Sequence, residues 1–506
     1  MNNTSYIIRT ALTVALGGFL FGFDAVVISG VNGFITTQWN LGDIELGWAV
    51  ASLTLIASAT MFLVGPLSDR VGRKKVLSIG AIAFAISALG SALAPNYLVF
   101  VLFRMLGGVG VGSALVIGPL YIAEISPGKL RGRMVSFNQL NIVIAFTVAY
   151  FTNLLINNSI QSDDAWRWML ALEIIPAVLF FLALYFVPES PRWLLMQNRD
   201  EEALDILKKA NGDQGGLAEM QNIKESIAEE ANKPQSTLRD VFAPAMKKVM
   251  FIGIAIAILQ QITGINSVFF YANMIFEQSG IGTNAAFTQA VLVGIINLVF
   301  TLVAMAVIDK LGRRPLLLIG VSGIVISMFF LSYQFGQAGY GLSANSIKGF
   351  DTEIQEKLEP LVGQSFENDV DFKNTMIATL GEDVMKDKEA DLVKAAISIN
   401  PILVLIGILS FVASFAISLG PVMWVMLSEL FPNRIRGLAI SVAAGINSVV
   451  SFLVQLIFPW ELANLGTSMT FLIYGVFGVL GLLIMMRSLP ETKGKSLEEL
   501  EEMLVG

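Results

Sequence analysis

Long apolar stretches alternate with short polar ones along nearly the whole chain, and the apolar stretches have the length of membrane spans. A helix rises about 1.5 Å per residue, so about 20 apolar residues cross roughly 30 Å of hydrocarbon. By that measure the pattern predicts twelve spanning helices, over residues 8–31, 46–66, 76–94, 97–123, 134–156, 167–187, 248–275, 286–307, 315–336, 400–427, 437–458 and 467–487. Two polar intervals are longer than the rest. In 188–247, DEEALDILKKA and LAEMQNIKESIAEEA place apolar residues three or four apart, the spacing of short surface helices that brace the bundles. In 337–398, Ile354, Leu358 and Leu361, and then Leu392 and Ala396, have the same spacing. This second interval is expected to be a solvated insertion, with a lid or gate as the alternative.

The polar intervals also repeat. DRVGRKK at 69–75 returns as DKLGRRP at 309–315, EISPGKLRG at 124–132 as ELFPNRIRG at 429–437, and PESPR at 188–192 as PETKG at 490–494. Three echoes in one order divide the chain into two six-helix halves, 1–187 and 248–487. They are joined by a cytoplasmic linker, 188–247, and followed by a tail, 488–506. The fold class expected is an all-α membrane protein of twelve transmembrane helices in two pseudo-symmetric bundles. Internal symmetry of this kind is the mark of a secondary transporter, with its substrate site between the repeats near the midplane.

Charge orients the chain. Most of the 33 Lys and Arg fall in the intervals on the same side as the N-terminus, so both termini are expected in the cytoplasm. The beginning, MNNTSYIIRTALTVALGG, reads as a retained first span and not a signal peptide. The expected location is the cell (inner) membrane, crossed many times, with the lipid bilayer as solvent and the monomer as the working unit. Residues 337–398 lie on the outer side and carry 12 acidic and 6 basic residues, nearly the whole net charge of −7.

Composition narrows the chemistry. Of the 506 residues 55% are hydrophobic and 14% charged, against about 25% charged in a soluble domain. There is no Cys and no His, which removes thiolate and imidazole metal sites, Cys and Ser-His nucleophiles, disulfides and histidine proton relays. No enzyme, cofactor, metal or nucleic-acid partner is expected, and proton chemistry falls to carboxylates. The first span holds one carboxylate, Asp24, in GGFLFGFDAVVISG. A charge at the bilayer centre costs roughly 2.5–3.5 kcal/mol, so such a group usually faces a cavity and has a partner. Arg104 in the fourth span is the basic residue deep in the same half. The first and fourth spans begin the two three-helix repeats of that half, so both can face its cavity.

With RMLGGVGVG, QQITGIN and GPVMWVMLSELFPNRIRG, these ordered motifs resemble the sugar porter family of the major facilitator superfamily over nearly the whole chain outside 337–398. The resemblance implies alternating access to a central sugar site, with a monosaccharide and a proton as partners. Asp24 and Arg104 match the proton-coupling pair of the family's symporters, whereas its facilitative members have Asn at the aspartate. Gln139, Gln260, Gln261, Asn266, Asn297 and Asn447 match sugar-contacting positions, Trp424 the ring platform and Phe21 an apolar lining position. Carboxamides suit the role, since one can donate to a hydroxyl and accept from its neighbour; as interhelical glue each would contribute roughly 0.6 kcal/mol. Gly264 should let the seventh span loosen beside them. Asp69, Arg70 and Arg73, echoed by Asp309 and Arg313, with Glu124/Arg131 and Glu429/Arg436, are implied to form ion pairs of a cytoplasmic gate. Glycines 107, 108, 110 and 112 should allow close helix contact. Phe270 stands where the family commonly has Tyr, and Ser448 where a second Trp is common, which leaves pentose, hexose and cyclitol open. The leading expectation is sugar–proton symport; the alternatives are a sugar uniporter, a polyol or cyclitol symporter and, last, a sugar sensor.

Overall fold

The computed structural model describes residues 3–232, 237–432, 434–495, 499, 500 and 503. Twelve of its helices are long and apolar enough to cross a membrane. They are α1 (Asn3–Trp39), α2 (Asp43–Val71), α3 (Arg73–Ala92), α4 (Tyr97–Ile125), α5 (Gly128–Ser159), α6 (α6a, Ala165–Ala171; α6b, Ile174–Tyr185), α7 (α7a, Lys247–Ile262; α7b, Ile265–Phe270), α8 (Thr283–Leu311), α9 (Arg313–Gly336), α10 (α10a, Pro401–Ile417; α10b, Leu419–Leu430), α11 (Arg436–Asn464) and α12 (Thr467–Ser488); a short helix, α7c (Ala272–Glu277), follows the seventh span. Each matches one expected span. Many run on past the apolar stretch, because flanking polar residues continue the helix into water.

Three interruptions have local causes. Pro176 has no N–H for the Leu172 carbonyl, and α6 breaks between Ala171 and Ile174. Gly264, at φ 86°, separates α7a from α7b. A Cβ there would lie 2.4 Å from the Tyr474 ring, so only glycine fits. Ser418, at φ −127° and ψ −95°, splits α10.

Packing divides the chain into two compact units. The first holds Met1–Ala25, Ser52–Ala149 and Arg167–Thr237; the second holds Val26–Ala51, Tyr150–Trp166 and Leu238–Gly506. This differs from a division at the linker. The ends of α1, α2 and α5 nearest the insertion belong to the second unit: side chains of α1 and α5 there hydrogen-bond to α7, and α2 packs on α11 through Gly47 and Trp48.

In the first unit α4 is the central element. Cβ atoms at Gly108 and Gly112 would lie 2.5 Å from the Leu53 carbonyl and 2.6 Å from the Ala57 carbonyl, so α4 meets the backbone of α2 directly. The linker forms helices over Pro191–Met196 and Asp200–Asn232, the latter kinked at Gly212.

In the second unit the insertion folds around its own core. Strand β1 (Gly339–Gly341) lies between β2 (Ser365–Phe366) and β3 (Ile397–Ser398), both antiparallel to it. Helices over Thr352–Leu358, Asp369–Leu380 and Glu382–Ala396 bury Leu358, Leu392 and Ala396, as the apolar spacing expected, together with Phe372 and Met376, while Ile354 and Leu361 are partly buried.

Candidate functional site

In the first unit, Asp24 on α1 and Arg104 on α4 form a buried ion pair: Arg104 Nη1 donates to Asp24 Oδ1, and Nη2 reaches the Asp24 carbonyl at 3.4 Å. The side chains are 0% and 2% exposed, so each charge depends on the other for neutralisation. Gly107 makes room for the pair; a Cβ there would lie 3.0 Å from Asp24 Oδ2 and 2.6 Å from Ser87 Oγ. A third ionisable group joins them. Glu173, in the α6 break, is 2% exposed and interacts electrostatically with both Asp24 and Arg104. Among the described residues Asp24 Oδ2, Arg104 Nε and Glu173 Oε1 have no hydrogen-bond partner. Glu173 was not singled out from the sequence, although a carboxylate within the span expected at 167–187 was signal enough.

The same unit carries Phe21, partly buried on α1, and Gln139, exposed on α5. Next to Gln139, Asn138 is buried, with its Oδ1 2.7 Å from where a Gly18 Cβ would stand.

In the second unit the expected amides form one network. Gln260 Nε2 donates to the Leu419 carbonyl beside the α10 break (2.9 Å), and Asn447 Nδ2 to the Ala257 carbonyl (2.8 Å) and to Gln260 Oε1 (2.8 Å). Gln261 Nε2 donates to Gln260 Oε1 and Asn447 Oδ1, each at 3.2 Å. Asn266 Nδ2 donates to Gln261 Oε1 (2.8 Å) and Ser451 Oγ (2.7 Å). Carbonyls can only accept, so Ala257 and Leu419 fix the orientation of the first two amides, and the others follow. Asn266 thereby uses its nitrogen inside the protein and keeps its oxygen as an acceptor. Ser451, which also accepts from Gln455 at 2.8 Å, is a member that the sequence reading did not include. Asn297 is buried on α8, and Trp424 on α10b is 44% exposed.

One turn further on, α7 is tied to the ends of α1 and α5. Tyr150 Oη donates to the Phe269 carbonyl (2.7 Å), Asn32 Nδ2 to the Phe270 carbonyl (2.9 Å), and Ser29 Oγ to Asn273 Oδ1 (2.9 Å). The Asn273 backbone N–H donates back to Ser29 Oγ at 3.2 Å.

The repeated charged motifs build matching clusters, one per unit. Arg73 pairs with Asp69 (2.8 Å) and Glu124 (3.0 Å); Arg313 pairs with Asp309 (3.2 Å) and Glu429 (2.9 Å). The third echo completes each. Glu189 accepts from the backbone N–H of Arg73 and Lys74, and Glu491 from those of Arg313 and Arg314, so they cap the starts of α3 and α9. Ser190 and Thr492 donate to Glu124 and Glu429. The pairs expected between Glu124 and Arg131 and between Glu429 and Arg436 are corrected. Arg131 donates to the Ala123 carbonyl and reaches Glu219 at 3.7 Å, and Arg436 donates to the Phe431 carbonyl. The reason is geometric: Arg73 and Arg313 stand at helix starts facing the two glutamates and fill their acceptors first. Arg70 is exposed.

A family model for sugar (and other) transporters matches residues 10–350 and 376–504. The chain belongs to the sugar transporter family. This transporter is 36% identical to the D-xylose-proton symporter of Escherichia coli (strain K12), over 99% of this chain and 96% of that protein. It is 32% identical to the arabinose-proton symporter of Bacillus subtilis (strain 168), over 100% and 96%. Its structure matches the inward-open conformation of the xylose transporter XylE from E. coli with a TM-score of 0.77 at 34% identity, covering 99% of this chain and 100% of that one. The transporter has the twelve-helix major facilitator fold, and it is a multi-pass membrane protein. The stretch that the family model leaves out, 351–375, falls inside the insertion.

Proposed function

We propose that this transporter imports a monosaccharide together with a proton by alternating access, as a monomer in the cell (inner) membrane with both termini in the cytoplasm. The observation that carries the coupling is the Asp24–Arg104 pair. A proton and the guanidinium compete for one buried carboxylate, so protonating Asp24 releases Arg104, and the return of Arg104 expels the proton. Glu173 adds a second carboxylate to the same charge balance, so the cluster holds one cation between two acids unless a proton is present. The names of the xylose and arabinose relatives, both proton symporters, support this reading.

The amide network supports the sugar half of the reaction. Its orientation is fixed before a ligand arrives, so a hydroxyl that donates to Asn266 Oδ1 meets an acceptor already in place. One proton moving down about 150 mV supplies roughly 3.4 kcal/mol, enough for some 300-fold accumulation of sugar. The test is purified protein in liposomes, with external pH recorded as each member of a panel of pentoses, hexoses and cyclitols is added. Alkalinisation that follows one sugar class supports symport and names the substrate. Sugar entry without proton movement makes the protein a uniporter.

A further inference from the structure

The insertion is attached to the spanning helices at two places of unequal strength. On the second half of the chain the attachment is buried. Asp369 Oδ2 accepts from the Thr467 backbone N–H (2.7 Å) and hydroxyl (2.8 Å), capping α12, and the two residues are 6% and 1% exposed. Ile397 packs against Gly280, where a Cβ would come within 2.3 Å of its side chain. Glu389, paired with Lys373 at 2.7 Å, accepts from buried Gln278 at 3.0 Å.

On the first half the hydrogen bonds to the insertion are exposed, and they gather on one residue. Asn40, in the turn between α1 and α2, donates to Asp383 Oδ1 (2.8 Å) and accepts from Lys386 Nζ (2.7 Å). Asp43, at the start of α2, lies within electrostatic range of Lys373, Lys386 and Glu389. Asn40 sits at φ 48°, a left-handed conformation that asparagine tolerates better than most residues. It ends α1, with Leu41 N–H returning to the Thr36 carbonyl at 3.0 Å, and it presents its carboxamide to the insertion.

We propose that the insertion is a clasp on the transport cycle: fixed to α7 and α12, it holds the α1–α2 turn through Asn40 and favours the state in which the ends of α1, α5 and α7 are joined. The unequal burial decides which attachment yields. Breaking the Asp369 cap strands a carboxylate and a helix-start N–H out of water, whereas the Asn40 contacts exchange readily for water. Parting of the helix ends therefore releases Asn40 and leaves the insertion on α12. The inference relies on the transport reading only for its consequence for sugar flux; the bias itself exists without sugar.

The chain has no cysteine, so labels can be placed at will. Asn157 on α5 donates to Asn284 at the start of α8 (2.8 Å), so spin labels at the exposed positions Asn158→Cys on α5 and Thr288→Cys on α8 report the parting of the α5 end from its neighbours in lipid nanodiscs without sugar. Asn40→Gly keeps the backbone conformation while deleting the carboxamide, and Asp383→Asn weakens the other partner. Each should raise the population of long label distances about two- to five-fold. Unchanged distance distributions in both variants would overturn the clasp, as would a shift toward short distances. A shift to long distances in a protein that carries no sugar sustains the clasp and removes the transport reading instead.

Discussion

Gln261 donates to the carboxamide oxygen of Asn447 at 3.2 Å, and Asn447 spends its own nitrogen on Ala257 and Gln260. Polarity therefore runs one way through the cluster, from two backbone carbonyls to the open oxygen of Asn266. Replacing Gln261 with Ala removes one of the two hydrogen bonds that hold Asn266, leaving the one to Ser451. Sugar affinity should fall by roughly 1–3 kcal/mol, with little change in melting temperature. Titration calorimetry of the purified protein checks this, and unchanged affinity in a folded Gln261→Ala protein removes the residue from the site.

Asp24→Asn keeps the shape of the buried carboxylate and loses its charge, which imitates the protonated form. Sugar should still bind and exchange across liposomes, while accumulation against a gradient and sugar-driven proton uptake disappear. An Asn variant that still concentrates sugar would place coupling elsewhere, with Glu173 as the next residue to replace.

Gly107→Ala puts a methyl group 3.0 Å from Asp24 Oδ2 and 2.6 Å from Ser87 Oγ. In a packed interface this overpacking should cost about 1–3 kcal/mol, read as a lower melting temperature. The same change at Gly132, where a Cβ meets nothing within 4 Å, should be nearly silent.

Stability should depend on pH through Glu277, at the end of α7c beside the insertion. Burial pushes its carboxyl up to about 7, a hydrogen bond from Thr283 opposes this, and Glu389 and Asp391 add to it. The folded protein thus holds a proton that the unfolded chain releases near 4.5. The resulting stabilisation is full below that value and is lost as pH rises through about 7. Melting temperatures of wild type and Glu277→Gln across pH 5 to 8 should diverge in that direction. A constant difference between the two would show that Glu277 titrates as an ordinary surface acid.

The sequence was most legible where one physical rule acts alone. Span length against bilayer thickness yields all twelve helices, and three repeated motifs yield the twofold plan of charged clusters. Gln260, Gln261, Asn266 and Asn447 stood out because polar side chains in apolar spans need partners, and the structure makes them partners of one another. Pairings were less legible, since they depend on which helix ends meet in space. Glu124 lies seven residues from Arg131 along the chain, but Arg73 across the bundle takes its oxygens. The strands of the insertion are two or three residues long, too short to show an alternating pattern. Glu173 was visible in principle, yet the break that brings it to Asp24 depends on Pro176 and on packing.

The carbonyls of Phe269 and Phe270 take their hydrogen bonds from Tyr150 and Asn32, side chains on other helices. When those helices separate, both carbonyls and both donors must find water at once. Separation of these helix ends is thus a hydration step. Osmolytes that lower water activity should disfavour it without touching the sugar or the proton, which ties the balance between joined and parted helix ends to the water available at the surface.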